Sequence, residues 1–271
     1  LLQSTANSGG GITLEGSSSR TSGDTPGIDL WGTDTNGFQE YQFLSNSGDI
    51  LLVSKLNTNN STIAVRSETF LGNRKDATQV QGVTPISGGA SVATTFKADQ
   101  KISFKKTLSG DGSVNIAPYV SGRSIGIESA SDLTLEGLDQ LSNSFASVTI
   151  GDSNVNGIVS TSPISANSNL LFNSGAAGLA FSGTLTSNNN DVTFEVASNS
   201  SVTALNLGSG SIVKSGAGLL DLSAANTYSG ATNFNGGTVQ LSNAGSLGST
   251  SALNFNGGAA KFSVSASVPS V

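Results

Sequence analysis

Short packets in which hydrophobic and polar residues alternate run the length of this chain. They fall at residues 11–14, 49–53, 62–65, 101–104, 113–116, 124–127 and 132–135, and continue at 147–150, 170–172, 179–185, 191–196, 202–207 and 211–213. The last are 219–222, 232–234, 238–241, 252–255 and 261–264. A period of two over three to six residues, bounded by Gly, Asn, Ser or Asp, predicts short β-strands joined by tight turns. Three arrangements fit such a string: a sandwich of hairpins, a barrel, or a parallel coil in which each strand pairs with its equivalent one turn earlier.

A repeat separates these arrangements. Asn-Phe-Asn-Gly-Gly occurs at 233–237 and again at 254–258, and self-similarity at a fixed short period is the mark of a stacked coil. With three short strands per turn, Phe234 lies over Phe255 and Asn235 over Asn256, so that aromatic rings and side-chain amides form ladders. The fold expected is all-β, a parallel β-helix of about a dozen coils of roughly 20 to 25 residues, with an irregular N-terminal section. Asn-Gly also begins hairpins, so an antiparallel reading of these turns stays open. Residues 15–48 show few alternating packets and are expected to form a loop or insertion.

Composition supports strands over helices. Each of the 34 glycines would cost a helix about 1 kcal/mol relative to Ala. Disorder is disfavoured, because charged residues are only 11% while Val, Ile, Leu and Phe recur throughout. Charge divides the chain into two sections. Residues 1–140 carry most of it, whereas 141–271 hold only Lys214 and Lys261 against Asp152, Asp191, Glu195 and Asp221. The net charge of −6 argues against a nucleic-acid partner, which needs a clustered basic surface. No apolar run approaches the roughly 20 residues of a membrane span. Cys, Met and His are absent, which removes disulfides, His or Cys metal sites, and nucleophiles that depend on an imidazole base. No cofactor is expected. A chain that starts at Leu1 reads as a processed product or part of a longer protein.

The stretch 214–248 resembles the passenger-associated transport repeat of autotransporter proteins. It begins Lys214-Ser215-Gly216-Ala217-Gly218-Leu219-Leu220-Asp221-Leu222 and continues through Asn226-Thr227-Tyr228-Ser229-Gly230 to Gly236-Gly237-Thr238-Val239-Gln240-Leu241 and Leu247-Gly248. The family pattern is a Lys-x-Gly-x-Gly strand, a Leu-x-Leu strand, Ala-Asn-x-Tyr-x-Gly, a Gly-Gly turn and a closing Leu strand. Ala231 and Asn233 depart from it, standing where a Gly and a β-branched residue are commoner. More loosely, 133–151 is similar to the repeats of filamentous-haemagglutinin-type proteins. The resemblance implies a right-handed parallel β-helix exported by a type V route, with an outer-membrane translocator outside these residues. It implies display at the surface of a Gram-negative-type bacterium, or release from it. In that family the repeat is thought to aid secretion by folding outside the membrane. The structural repeat positions are Gly216, Gly218, Asn226, Tyr228, Gly230, Phe234, Gly236, Gly237, Phe255, Gly257 and Gly258.

Candidate chemistry is sparse. Gly151-Asp152-Ser153 is similar to the nucleophile segment of serine hydrolases, but without His the serine has no base, and a turn is the expectation. Carboxylates at Asp24, Asp29 and Asp34, and at Asp132, Glu136 and Asp139, could in principle pair as acid and base for glycoside cleavage; solvated turns are the simpler account. Asp34-x-Asn36-Gly37 is half a calcium loop with Ser45 at its closing position. Lys97, Lys101, Lys105 and Lys106 surround Ile102 and Phe104, and read as a solvated outer face. Trp31, Phe38 and Tyr41, with Phe43, form the one aromatic cluster and are the candidates for ligand contact. The expectation is therefore a non-enzymatic β-helical stalk and adhesin with a host-cell, matrix or polysaccharide ligand. The alternatives are a polysaccharide-degrading enzyme on the same scaffold and a purely structural spacer.

Overall fold

The computed structural model describes residues 2–4, 12–16, 28–30, 41–45, 49–54, 62–65, 69–72, 93–110 and 112–263. Every ladder between strands there is parallel. Among the described residues an antiparallel pairing survives only as an isolated bridge between Asn156 and Gly175, so the hairpin reading of the Asn-Gly turns gives way to a parallel β-helix.

Three faces run along the stack. One is a sheet of ten strands and one a sheet of thirteen. The third starts as a four-strand sheet ending at Leu108–Gly110, passes through a single bridge from Leu108 to Leu141, and resumes as short strands such as Ile164–Ser165 and Thr227–Tyr228. In the C-terminal half this face joins the thirteen-strand sheet, because Leu179–Thr186 and Ser200–Gly208 run around the corner between them. The register breaks at that corner, between Phe181 and Thr184.

The coil length varies along the axis. Register partners along the ten-strand sheet run through residues 12, 50, 94, 114, 148, 170, 192, 212, 232 and 253. Short, even steps hold from 148 onward, while the first two coils are about twice as long. That is why ten coils form where uniform spacing predicts about a dozen; at about 4.8 Å per coil the stack is roughly 43 Å long. Residues 15–48, read from sequence as loop or insertion, contain the strands Ile28–Leu30 and Tyr41–Ser45. Both pair in parallel with neighbouring coils. Ile28-Asp29-Leu30 alternates like the other three-residue packets, but the Gly, Asp, Thr and Pro around it read as loop.

The core is a single column of Ile, Leu, Val and Phe. Its clearest row lies inside the ten-strand sheet, where Leu14, Leu52, Phe96, Ile116, Ile150, Phe172, Phe194, Lys214, Phe234 and Phe255 are in register. Phe172 and Phe194 stack at 5.8 Å, and Phe234 meets Phe255 edge to face at 5.1 Å, geometries that add to simple burial. Outside the column the amides ladder as expected. Asn256 donates to Asn235 at 3.1 Å and Asn254 to Asn233 at 2.8 Å.

Candidate functional site

Lys214 interrupts the apolar row, and its side chain is fully buried. The strand Ile212–Ser215 alternates, so the same pleat that turns Ile212 inward also turns Lys214 inward. Its stem fills a place in register between Phe194 and Phe234. Its Nζ donates to the carbonyls of Ser215 at 2.7 Å, Gly216 at 2.9 Å and Gly236 at 3.1 Å. An ammonium has three donors, and all three are spent on turn carbonyls belonging to two successive coils. Burial pushes its pKa from the ordinary 10.5 down to about 8, since the charged form loses its hydration.

A second polar clamp sits on the third face. The buried Asn226 side chain accepts from the Leu205 N–H at 2.8 Å and donates to the Ser246 carbonyl at 2.6 Å. One amide thereby joins the coil below, its own and the coil above. Tyr228 is buried nearby, and its hydroxyl is 2.7 Å from that of Thr232. Thr232 donates to Thr250 at 3.0 Å, and Thr250 donates to the Gly230 carbonyl at 2.9 Å. The chain has one consistent direction, with Tyr228 donating first. Burial pushes the Tyr228 pKa up to about 12, against the Thr232 hydrogen bond, which pulls it down.

The repeat glycines divide by cause. Gly216 and Gly237 have φ of 76° and 63°, a left-handed conformation that costs a residue with a Cβ. A Cβ at Gly216 would also overlap the Val196 carbonyl, and one at Gly237 the Gly218 carbonyl. Gly218 and Gly230 press against the Ser198 and Gly210 carbonyls of the coil beneath, and Gly258 lies against Phe234. Gly257 has φ of 118° at the end of the stack. Gly236 is different, because a Cβ there meets nothing nearer than 3.4 Å.

The remaining candidates separate. Trp31 and Phe38 lie outside the described residues, and of Tyr41 only its place at the start of a strand is described. Asp24, Asp34, Asn36 and Gly37 also lie outside them. Asp152 accepts from the Asn154 N–H at 2.8 Å, an Asx turn that uses its carboxylate locally. Asp132 accepts from the Ser124 N–H at 2.9 Å. Glu136 is held by Lys101 at 2.7 Å and Lys105 at 2.9 Å, with Ser103 at 3.3 Å. Burial raises the Glu136 pKa and the two lysines lower it, leaving it below the usual value. These carboxylates are thus committed to turns and ladders. No group of three or more His, Cys, Asp or Glu among the described residues is placed to hold a metal ion.

Two features escaped the sequence reading. One is Lys214 itself, whose inward parity was there to be counted. The other is a pair of surface clefts. One, of about 120 Å³, lies beside the exposed Tyr119 and Val120. The other, of about 540 Å³, is on the third face and is lined by asparagines from successive coils.

No helix among the described residues is long and apolar enough to cross a membrane, which leaves membrane-crossing strands unaddressed. No curated protein and no solved structure matches the chain. The family model described as passenger-associated-transport-repeat matches residues 212–241, one full coil and two strands of the next, and the segment that carries Lys214, Asn226 and Tyr228 is therefore an autotransporter passenger repeat.

Proposed function

We propose that this chain is the exported, β-helical stalk of an autotransporter-like protein, that it carries an adhesive surface outside the cell, and that the repeat aids secretion by folding there. The matched repeat is the observation that carries this reading, and its physics supports it. Phe234 is wholly buried, and Phe255 of the next coil meets its ring edge to face at 5.1 Å. Each coil therefore buries the end of the one before, and folding can advance coil by coil along a chain that emerges gradually. The clamps at Lys214 and Asn226 tie adjacent coils together by backbone carbonyls and amides, the kind of contact that rewards each addition. The translocator is a partner outside these residues. We assign no reaction to the chain, and the division into a charged section 1–140 and a low-charge section 141–271 that includes the repeat is part of the same proposal.

The test is display. The chain is placed between a signal peptide and a translocator barrel in a Gram-negative host, and surface exposure is read by protease accessibility. Deleting 212–241 is expected to lower display severalfold; unchanged display sinks the secretion role. Cells displaying the intact chain are expected to adhere to epithelial cells or matrix more than cells with the barrel alone. Equal adhesion would leave a spacer.

A further inference from the structure

We propose that the larger cleft on the third face binds an uncharged oligosaccharide through side-chain amides. The proposal rests on the adhesion reading for its biological use, though not for its chemistry. The cleft lies where the third face thins from the strand Leu108–Gly110 to the single bridge at Leu141, and it has a volume of about 540 Å³. Asp139, Asn143, Asn167, Asn188, Asn189 and Asn190 line it.

The amides are fixed by the coil at one end. Asn167 donates to the Asp139 carbonyl at 2.7 Å, Asn188 donates to Asn167 at 2.7 Å, and Asn190 donates to the Ser187 carbonyl at 2.6 Å. Asn189 accepts from the Ser209 N–H at 3.0 Å. Their other ends, the oxygens of Asn188 and Asn190 and the nitrogen of Asn189, have no hydrogen-bond partner among the described residues, nor has the Asn143 side chain. The open ends of Asn188, Asn189 and Asn190 on one turn, with Asn143 two coils away at about 4.8 Å per coil, suit the hydroxyls of adjoining sugar rings.

Backbone conformation adds a separate reason. Asn188 and Asn189 have φ of 46° and 69°, two consecutive residues in the left-handed region, where glycine would be held more cheaply. The strain keeps two amides at the cleft rather than two hydrogens. Charge then selects within the sugars. Asp139 is the one charged residue on the lining and no cation lines it, so sulfated, sialylated and uronic-acid chains gain no ion pair there and neutral chains are favoured. No aromatic ring lines the cleft either. Single-site binding is therefore weak, and useful adhesion comes from many copies on one surface.

The experiment is saturation-transfer NMR and titration of the full chain with maltohexaose, cellohexaose and chitohexaose as neutral probes, and a heparin hexasaccharide as the anionic one. We expect transfer to at least one neutral probe and none to heparin. Replacing both strained residues, Asn188→Gly with Asn189→Gly, keeps a backbone that favours this turn while removing the amides, and should weaken binding at least about tenfold; the lost bonds to Asn167 and Ser209 lower the thermal transition, so binding is compared well below it. Asn143→Ala, on an exposed turn, provides the same test should the double variant fold poorly. No neutral binding, equal binding of heparin, or binding indifferent to these substitutions overturns the proposal. Sugar binding without cell adhesion would sink the adhesion reading alone, and adhesion without sugar binding would sink only this one.

Discussion

Replacing Lys214 by Met tests whether a buried ammonium is part of the stack's core. Methionine keeps an unbranched apolar stem between Phe194 and Phe234 and removes the three donors that serve Ser215, Gly216 and Gly236. The net cost at pH 7 is the difference between two large terms. Losing hydrogen bonds from a charged donor costs about 1.5–3 kcal/mol each at most, and relief from burying a charge returns several kcal/mol. The pH dependence is cleaner. Burial lowers the folded-state pKa to about 8 from 10.5, so the unfolded chain binds the extra proton between those values. Stability must rise with pH across that window and fall as pH drops through 8. Between pH 7 and 10 the gain attributable to Lys214 is about 2–3 kcal/mol. Urea unfolding followed by circular dichroism at pH 7, 8, 9 and 10 should show that increment in the parent chain and lose it in Lys214→Met. Because coil proteins can unfold in stages, amide exchange at Asn235, whose N–H bonds to the Lys214 carbonyl at 2.8 Å, provides a local readout. Parallel pH profiles for parent and variant would refute the reasoning.

Three further outcomes follow from the repeat. Gly216→Ala should destabilise by several kcal/mol, through both φ and overlap with Val196, whereas Gly236→Ala should be neutral or stabilise by up to about 1 kcal/mol; thermal melts of the two separate a crowded turn from an open one. Asn226→Leu should cost about 2–4 kcal/mol, because the Leu205 N–H and Ser246 carbonyl are both left unpaired in the interior, and chemical denaturation measures it. Tyr228→Phe should cost about 1 kcal/mol at neutral pH. In the parent chain the raised Tyr228 pKa stabilises the fold fully below pH 10, and this is lost as pH rises through 12, so the variant should lack that part of the alkaline decline.

How much of this was legible in sequence depended on length and contrast. The pentapeptide repeat set the register of the last coils, because identical side chains at a constant step have one way to stack. Short even coils from 148 onward obeyed the same rule. Strands of two residues, such as Thr227–Tyr228 and Ile164–Ser165, offer no period to read, and Leu108–Gly110 ends on a glycine that gives no contrast. At the last coil the expectation of a strand at 261–264 was two residues late, since Ala259 and Ala260 give little contrast between faces; hydrogen-bond register places it at Ala259–Phe262.

Lys214 shows the limit of reading polarity as exposure. The alternating packet read from sequence ends at 213, whereas the strand runs Ile212–Ser215 and turns Lys214 inward with Ile212. The conflict between charge and burial is resolved only by knowing that two turns, one coil apart, aim three carbonyls at one point. That point exists because Gly216 bends left-handed beside Val196, and because the next coil returns Gly236 directly above it. The asparagine cleft has the same origin in three dimensions, in a third face that narrows over one coil and so brings Asp139, Asn167 and Asn188 to one recess. Local pattern specifies which residues stack; the chemistry of the surface and of the buried clamp comes from what the stack places side by side.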